Sequence, residues 1–223
     1  MRYRHESKHE ISYMDSLILQ TRLEAVMQRD PHAVCGKYDI RSVYFDTPTD
    51  KALREKIDGV ACREKFRIRF YNGDTSFIKL EKKSKINDLC LKQSCRITKD
   101  EAQKIIEGRF DRVMADERPL FQELYSKMHS QLLRPKTIVD YTRIPFVYDP
   151  GNIRVSIDYN IRTGDFRTDF LDPDTLTIPA GDSPMILEVK WDEFLPDIIR
   201  DAVSISGRHT AAFSKYAQCR IYG

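Results

Sequence analysis

Arginines and carboxylates recur at alternate positions in several short stretches of this chain. Arg67 and Arg69 alternate with the apolar residues Phe66, Ile68 and Phe70. Because side chains alternate across a β-strand, the two guanidiniums would lie together on one face and the apolar side chains on the other. A guanidinium is permanently charged and matches the geometry of phosphate oxygens, so such a pair is a candidate phosphate clamp. For this stretch alone, a solvated strand face is the better interpretation.

The alternation recurs in three further stretches, which changes that interpretation. Their polar positions are Lys79, Glu81 and Lys83 in residues 77–83, Arg154, Ser156 and Asp158 in residues 153–159, and Glu188 and Lys190 in residues 185–191. The opposite faces are strongly apolar and need a covering layer, which helices around a closed barrel would supply. The polar faces would then point inward and form a basic interior with a few carboxylates.

Glu188 lies in the most apolar of these stretches, where an unpaired carboxylate is costly. A structural ion pair with a nearby arginine and a role as ligand of a divalent cation explain it equally well. Mg²⁺ and Mn²⁺ sites often use one or two carboxylates, completed by water and substrate phosphates. Glu6 and Glu81 are further candidates for the same metal site.

The composition indicates one medium-sized domain without a generally basic surface. Lys and Arg number 37 against 34 Asp and Glu, a net charge of +3, so nucleic acid is not an expected partner. No apolar run approaches the roughly 20 residues that span a bilayer. The first ten residues contain no apolar signal region, and the five cysteines lack metal-pair spacing, so we expect free thiols and a cytoplasmic protein. No glycine-rich phosphate loop or nucleophile elbow is present, so any phosphate site must be built from side chains.

Periodicity predicts an α+β fold with a mostly antiparallel sheet or barrel, and we treat residues 1–223 as a single domain. A Thr98–Glu101 capping box is expected to begin one of the helices. The predicted strands are 2–12, 38–46, 65–71, 77–83, 89–97, 137–147, 153–161 and 184–191. The predicted helices are 47–56, 98–108, 119–133, 196–204, 211–221 and one over 14–27, and residues 171–183 are predicted to form a long loop.

Short segments spread along the whole chain, in a fixed order, carry a resemblance to a known family. They are Tyr3–Lys8, Arg41–Thr47, Leu53–Lys56, Phe66–Tyr71, Leu80–Lys83, Tyr141–Arg143, Arg154–Asp158, Ile186–Lys190 and Phe213–Tyr216. Together they resemble the polyphosphate polymerase domain of the vacuolar transporter chaperone (VTC) family, which belongs to the CYTH-like triphosphate tunnel metalloenzymes. No single segment is decisive, but their number and order make the match specific.

The resemblance implies an antiparallel eight-stranded β-barrel tunnel with flanking helices. It implies a phosphotransferase that extends inorganic polyphosphate from ATP with Mn²⁺ or Mg²⁺ as cofactor. The implied phosphate binders are Lys8, Arg54, Arg67, Arg69, Lys83, Arg143 and Arg154, with Lys215 near the tunnel end and Lys92, Tyr141 and Lys190 as further phosphate or nucleotide contacts. Glu188 matches the metal-binding glutamate, with Glu6 and Glu81 as additional metal candidates.

One departure from the superfamily pattern bears on the reaction. Triphosphatases and adenylate cyclases of the superfamily usually begin with Glu-x-Glu-x-Lys, whereas this chain has Arg4, Glu6 and Lys8. Replacing the first glutamate by arginine removes a metal carboxylate and adds a phosphate binder, which favours a polymerase. A tripolyphosphate or nucleoside triphosphate hydrolase and a non-catalytic polyphosphate or nucleotide sensor stay open.

The expected partners are ATP and inorganic polyphosphate or pyrophosphate. We expect no nucleic acid, no membrane span in the chain itself, and a monomer or weak dimer. The sequence leaves room for a separate membrane protein that exports the product.

Overall fold

The computed structural model describes residues 3–87, 89–109, 117–165, 169–207 and 210–222. Within these ranges the strands are β1 (His5–Ile11), β2 (Gln28–Arg29), β3 (Tyr38–Asp46), β4 (Cys62–Tyr71), β5 (Asp74–Ile86), β6 (Leu89–Ile97), β7 (Arg134–Tyr148), β8 (Ile153–Asp165), β9 (Ile178–Pro179) and β10 (Met185–Trp191). The helices are α1 (Tyr13–Val26), α2 (Lys51–Ile57), α3 (Lys99–Ile106), α4 (Pro119–Ser130), α5 (Asp197–Val203) and α6 (Lys215–Tyr222). None of the helices in these ranges is long and apolar enough to cross a membrane.

The long strands form one antiparallel sheet that curls until its two edges meet. The order is β1-β10-β8-β7-β3-β4-β5-β6, and the short strands β2 and β9 pair with β7 and β8 outside this path. The edge strands β1 and β6 are joined at Arg4 and Cys90, whose N–H groups each donate to the other's carbonyl at 3.0 Å. The predicted antiparallel barrel with flanking helices is thereby confirmed, with two short strands in addition.

The apolar faces of the strands point outward and are covered by helices. Phe66, Ile68 and Leu80 of β4 and β5 pack in one buried cluster with Ile105 of α3 and Leu124 of α4. Full burial of one such side chain stabilises the fold by about 1.5–3 kcal/mol. Since the helices occupy the outer side, the charged positions between these apolar residues must face the barrel interior.

A second apolar cluster covers the other side of the barrel in the same way. Val155 of β8 and Leu187 of β10 pack with Leu19 and Leu23 of α1 and Ile199 of α5. Helices α3 and α4 therefore cover the outer face of β4 and β5. Helices α1 and α5 cover the outer face of β8 and β10. The interior is left as the place for the polar faces of all four strands.

Capping boxes begin two of the helices, and only the one before α3 is predicted from the sequence. The Glu101 N–H donates to Thr98 Oγ1 at 3.1 Å and the Thr98 N–H to Glu101 Oε2 at 2.7 Å, which confirms the capping box before α3. An equivalent box of Ser12 and Asp15 begins α1. It was missed because aspartate rather than glutamate closes it.

The C-terminal helix begins at Lys215 rather than near residue 211. Residues 210 and 211 pair instead with the first strand, because Thr210 bridges His9 and the Ala211 N–H donates to the Lys8 carbonyl at 2.7 Å. This pairing brings the start of α6 to the barrel interior. The predicted loop 171–183 likewise contains the short strand β9, which pairs with β8.

Candidate functional site

The inner faces of the barrel strands line two cavities with a common wall. The central cavity, of about 300 Å³, is bordered by Arg67, Arg69 and Glu188 among others. The α2-side cavity, of about 350 Å³, is bordered by Arg63 and Lys56 among others. The residues common to both are Glu6, Lys8, Lys65, Lys83, Cys90 and Ser214. The two spaces therefore adjoin along the barrel.

The inward residues of β4 pass in order from one cavity to the other. Arg63 borders only the α2-side cavity, Lys65 borders both, and Arg67 and Arg69 border only the central cavity. Their alternation along one strand places four basic side chains in a row at a spacing of roughly 6.6 Å, two residues of strand rise. A row of this kind matches a linear polyanion better than a single small anion.

The structure brings all but one of the sequence-predicted site residues to the central cavity. They are Glu6, Lys8, Arg67, Arg69, Glu81, Lys83, Lys92, Tyr141, Arg143, Arg154, Glu188, Lys190 and Lys215. Arg54 is the exception, since it is exposed on α2 and borders neither cavity, whereas Lys56 borders the α2-side cavity. Residues two positions apart in an α-helix are rotated by about 200° around its axis, so Arg54 and Lys56 point to opposite sides of α2. Arg54 thus lies on neither cavity lining in the structure, and its role as a phosphate binder stays a prediction.

Glu6 and Glu188 are held together by lysines that contact both. Lys8 Nζ lies 3.1 Å from Glu6 Oε1 and 3.4 Å from Glu188 Oε1. Lys190 Nζ lies 2.8 Å from Glu188 Oε2 and 3.8 Å from Glu6 Oε2, and Lys83 Nζ donates to Glu6 at 2.6 Å. Burial opposes ionisation of both carboxyls, but the neighbouring ammonium groups lower their pKa values well below the ordinary range. Both are therefore anions at neutral pH.

Asp158 extends this arrangement and was not assigned a role from the sequence. Arg143 donates to Asp158 through Nε at 2.6 Å and Nη2 at 2.7 Å, and Nη2 also reaches Glu188 Oε2 at 2.9 Å. Lys215 Nζ lies 2.5 Å from Asp158 Oδ2, which fixes the first residue of α6 in the interior. We call Glu6, Asp158 and Glu188 with their bridging cations the three-carboxylate network. The alternation Arg154, Ser156, Asp158 was the signal that could have identified the third carboxylate.

Glu81 forms a separate network with three other cations. Its Oε2 accepts from Arg67 Nε at 2.7 Å and lies 2.6 Å from Arg67 Nη2 and 4.0 Å from Arg69 Nη1. Its Oε1 forms an ion pair with Lys92. Burial alone would raise the pKa of Glu81, but these three cations lower it well below its ordinary value. We call this set the Glu81 network.

Hydroxyl groups orient the two arginines of β4. Arg69 is 3% exposed and donates to Ser42 Oγ and to the Tyr141 hydroxyl, both at 2.9 Å. Arg67 Nη1 donates to the Tyr44 hydroxyl at 2.7 Å. Each guanidinium thus has a defined orientation before any ligand binds, which reduces the entropy lost on binding.

Tyr44 and Lys65 form a pair that sequence reasoning did not identify. Burial would raise the pKa of Tyr44, but Arg67 and Lys65 lower it to about 7. Burial also lowers the pKa of Lys65 to about 7, against the opposing effect of Tyr44. Lys65 Nζ lies 5.2 Å from the Tyr44 ring centroid, at the wall that both cavities share. Two groups that titrate near neutral pH thus lie midway along the interior.

The donor set fits a hard divalent ion only if a substrate completes the coordination. Glu6 and Glu188 offer carboxylate oxygens, which Mg²⁺ and Mn²⁺ prefer. Among the described residues, no group of three or more His, Cys, Asp and Glu side chains is arranged to hold a metal by itself. Phosphate oxygens and water would have to supply the other ligands, as is common for these ions.

Arg4 and Arg154 lie at the rim of the central cavity with different surroundings. The Arg4 Nε lies 2.9 Å from Asp192 Oδ1, and its Nη2 donates to the Asn152 carbonyl. Arg4 is thus held by protein groups, which reduces its capacity to serve as an added phosphate binder. Arg154 is exposed at the rim and borders the cavity beside the end of β8.

Solved structures with low sequence identity share this fold. A proposed adenylyl cyclase from Hippeastrum, described as having a dominant triphosphatase activity, superposes with a TM-score of 0.56 at 11% identity, covering 99% of this chain and 96% of that one. A proposed adenylate cyclase from Bacillus halodurans gives a TM-score of 0.52 at 14% identity, covering 90% of this chain and 84% of that one. At these identities the likeness concerns the fold alone.

Sequence comparison identifies the family. No curated protein sequence matches the chain. The family model described as the VTC domain, however, matches residues 3–222. That match covers both charge networks, the row of basic side chains on β4 and the start of α6. The chain belongs to the VTC domain family.

Proposed function

We propose that this protein is an inorganic polyphosphate polymerase that transfers the γ-phosphate of ATP to a growing polyphosphate chain inside the barrel. The observation that carries the proposal is the continuous row of basic side chains from Arg63 through Lys65 and Arg67 to Arg69, which spans both cavities. A hydrolase needs room for one triphosphate and a water molecule. A polymerase must hold a donor and an acceptor chain at once, and two adjoining basic cavities supply that space.

The transfer itself needs positioning and neutralisation of charge more than covalent help from the protein. The bond between the γ-phosphorus and its bridging oxygen breaks, ADP leaves with that oxygen, and a terminal oxygen of the acceptor chain forms the new P–O bond. That acceptor oxygen is already anionic, so a strong general base is unnecessary. In this role Arg67, Arg69 and Arg143 hold phosphate oxygens, and Lys8 and Lys83 orient the acceptor.

A divalent cation has its best place at Glu188 and Glu6. When bound there, it would neutralise developing charge on the phosphoryl oxygens. In the structure both carboxylates form ion pairs with Lys8 and Lys190. A bound phosphate chain would give those lysines a new anionic partner and leave the carboxylate oxygens of Glu6 and Glu188 able to hold a divalent ion. Lys215, held by Asp158, lies at the far side of the same network.

A polyphosphate gel tests the proposal directly. Purified protein is incubated with ATP and Mn²⁺, and the products are separated and stained for polyphosphate. A ladder of lengths is expected. The double variant Arg67→Gln, Arg69→Gln should lose the ladder, while Arg200→Gln, at an exposed arginine of α5, should keep it. Release of orthophosphate without a ladder would identify a hydrolase, and binding with neither product would identify a sensor.

A further inference from the structure

We propose that Glu81 is an internal counter-anion, which holds the phosphate-binding groups of β4 when the tunnel is empty and competes with every phosphate chain that enters. The ligand it competes with is a polyanionic phosphate chain, so the inference rests on the proposed function of the same interior. It assigns Glu81 a role different from that of a metal ligand.

The contact geometry of Glu81 is that of an anion bound to guanidinium. Two nitrogens of Arg67 converge on one oxygen, with Nε at 2.7 Å and Nη2 at 2.6 Å from Oε2. A phosphate oxygen bound by the same arginine would occupy this position. The side chain is 1% exposed, and its Oε1 forms an ion pair with Lys92. The carboxylate is therefore buried between cations of β4 and β6.

The strand register keeps Glu81 in this place. Glu81 lies directly opposite Arg67 in the β4–β5 ladder. On its other side, Glu81 lies opposite Ser94 of β6, two residues from Lys92. A side chain fixed by the backbone on both flanks can change rotamer but cannot leave the interior. An incoming phosphate must displace the carboxylate from Arg67 while remaining near it.

The surroundings of Glu81 differ from those of the three-carboxylate network. Lys8 joins Glu6 to Glu188, and Arg143 joins Glu188 to Asp158, so carboxylate oxygens gather there. The described contacts of Glu81 are with cations, so Glu81 could offer a metal ion only one carboxylate ligand. A divalent ion is thus better served at the first network, where Glu6 and Glu188 share the contacts of Lys8.

Competition from Glu81 affects how a phosphate chain moves through the barrel interior. Binding has to be strong enough for entry and weak enough for departure, as in pores that conduct ions past charged or polar groups. Without Glu81, three cations would hold each phosphate with no opposing charge. With Glu81, like-charge repulsion lowers the net affinity and speeds release.

Tripolyphosphate binding in metal-free buffer tests this role. Calorimetric titration with a chelator present compares the wild type with Glu81→Gln, which keeps the shape of the side chain but removes the charge. We expect Glu81→Gln to bind tripolyphosphate about tenfold more tightly, equivalent to about 1.4 kcal/mol. In the polymerase assay the same variant should show a lower KM for the primer together with a lower kcat. Glu24→Gln, at an exposed glutamate of α1 that pairs with Arg29 and borders neither cavity, is the matched control and should leave the affinity unchanged.

Two results would overturn the inference. A metal ligand predicts unchanged affinity for Glu81→Gln in chelator and weaker binding when Mn²⁺ is added. A purely structural role predicts weaker binding with or without metal. If Glu81→Gln does not fold, Glu81→Asp keeps the charge but shortens the reach to Arg67, so it should bind tripolyphosphate more tightly than the wild type by a smaller factor. Equal or weaker binding by Glu81→Asp would count against the proposal.

The same titration separates this inference from the proposed function. A missing polyphosphate ladder with tighter tripolyphosphate binding by Glu81→Gln would remove the polymerase and keep the counter-anion. A ladder from the wild type with unchanged affinity in Glu81→Gln would keep the polymerase and remove the counter-anion.

Discussion

Glu188 lies at the centre of the three-carboxylate network, because Lys8 joins it to Glu6 and Arg143 joins it to Asp158. It contacts Lys8, Lys190 and Arg143 at 3.4 Å or less. Glu188→Gln keeps the size of the side chain but removes the charge that a metal ion requires. We expect Mn²⁺-dependent polymer formation to fall at least 100-fold while the thermal unfolding midpoint changes by a few degrees, measured by gel and by calorimetry.

The control for this prediction lies on the same sheet but borders neither cavity. Glu10→Gln changes an exposed glutamate of β1 and should retain synthesis. Mn²⁺-dependent synthesis at the wild-type rate by Glu188→Gln would remove Glu188 from the metal site.

Tyr44 and Lys65 make phosphate binding depend on pH. With pKa values of about 7 for both groups, Lys65 loses its charge and Tyr44 becomes anionic as the pH rises above neutrality. A polyanion favours charged Lys65 and neutral Tyr44, so binding at about pH 8 should take up protons and affinity should fall between about pH 6 and 9. Calorimetry in buffers of different ionisation enthalpy measures this uptake directly.

Tyr44→Phe isolates the contribution of the tyrosine. It should reduce the proton uptake and flatten the pH profile, because only Lys65 then titrates. The same two pKa shifts also affect the free energy of unfolding. Since the folded state binds fewer protons than the unfolded chain between about pH 7 and 10, stability should rise with pH over that window. Proton uptake equal in the wild type and Tyr44→Phe would exclude Tyr44 from the coupling.

At the scale of elements, Asp46 joins the helix α2 to the helix α6. Its carboxylate accepts from the Ala52 and Leu53 N–H groups at 2.8 and 3.1 Å, and from the Tyr216 hydroxyl at 2.6 Å. Tyr216 in turn stacks on Tyr44 with ring centroids 5.1 Å apart. The two helices that border the α2-side cavity are thus connected to the tyrosine that holds Arg67.

Asp46→Ala should therefore destabilise the fold by about 3 kcal/mol, since several buried donors lose their acceptor. Urea unfolding measures this change. Asp182→Ala, in an exposed loop, should change stability by no more than about 0.5 kcal/mol. A similar small effect of Asp46→Ala would show that α2 and α6 are held by other contacts.

Some of the helix and strand boundaries were predictable from the sequence. The Thr98–Glu101 capping box and the alternating strands are local signals, so α3, β4 and β10 were predicted close to their observed ends. The start of α6 was not, because the pairing of Ala211 with Lys8 joins residues far apart in the chain. Local propensity does not contain such a contact.

At the scale of the whole molecule, closure of the barrel depends on the seam between Arg4 and Cys90. The N–H and carbonyl of Cys90 both face β1, since the two groups of one strand residue point to the same side. Proline at this position removes the N–H that bonds to Arg4. We expect Cys90→Pro to lower the free energy of unfolding by about 1–3 kcal/mol and to weaken tripolyphosphate binding.

Cys90→Ala is the matched variant, because it removes the thiol but keeps the amide. Thermal unfolding and tripolyphosphate titration of both variants separate the two effects. If the two variants behave alike, the seam does not control the shape of the interior.

The sequence by itself determined which side chains share the polar face of each strand, because strand alternation separates them from the apolar positions. It also carried the family resemblance that the VTC domain match confirms. Only the tertiary structure decided which charges meet, such as Lys83 with Glu6 and Arg143 with Glu188. It separated Glu81 from the other carboxylates and left Arg54 off the lining of both cavities. These outcomes depend on strand register and barrel closure, which join residues distant in the chain and so leave no trace in a local pattern.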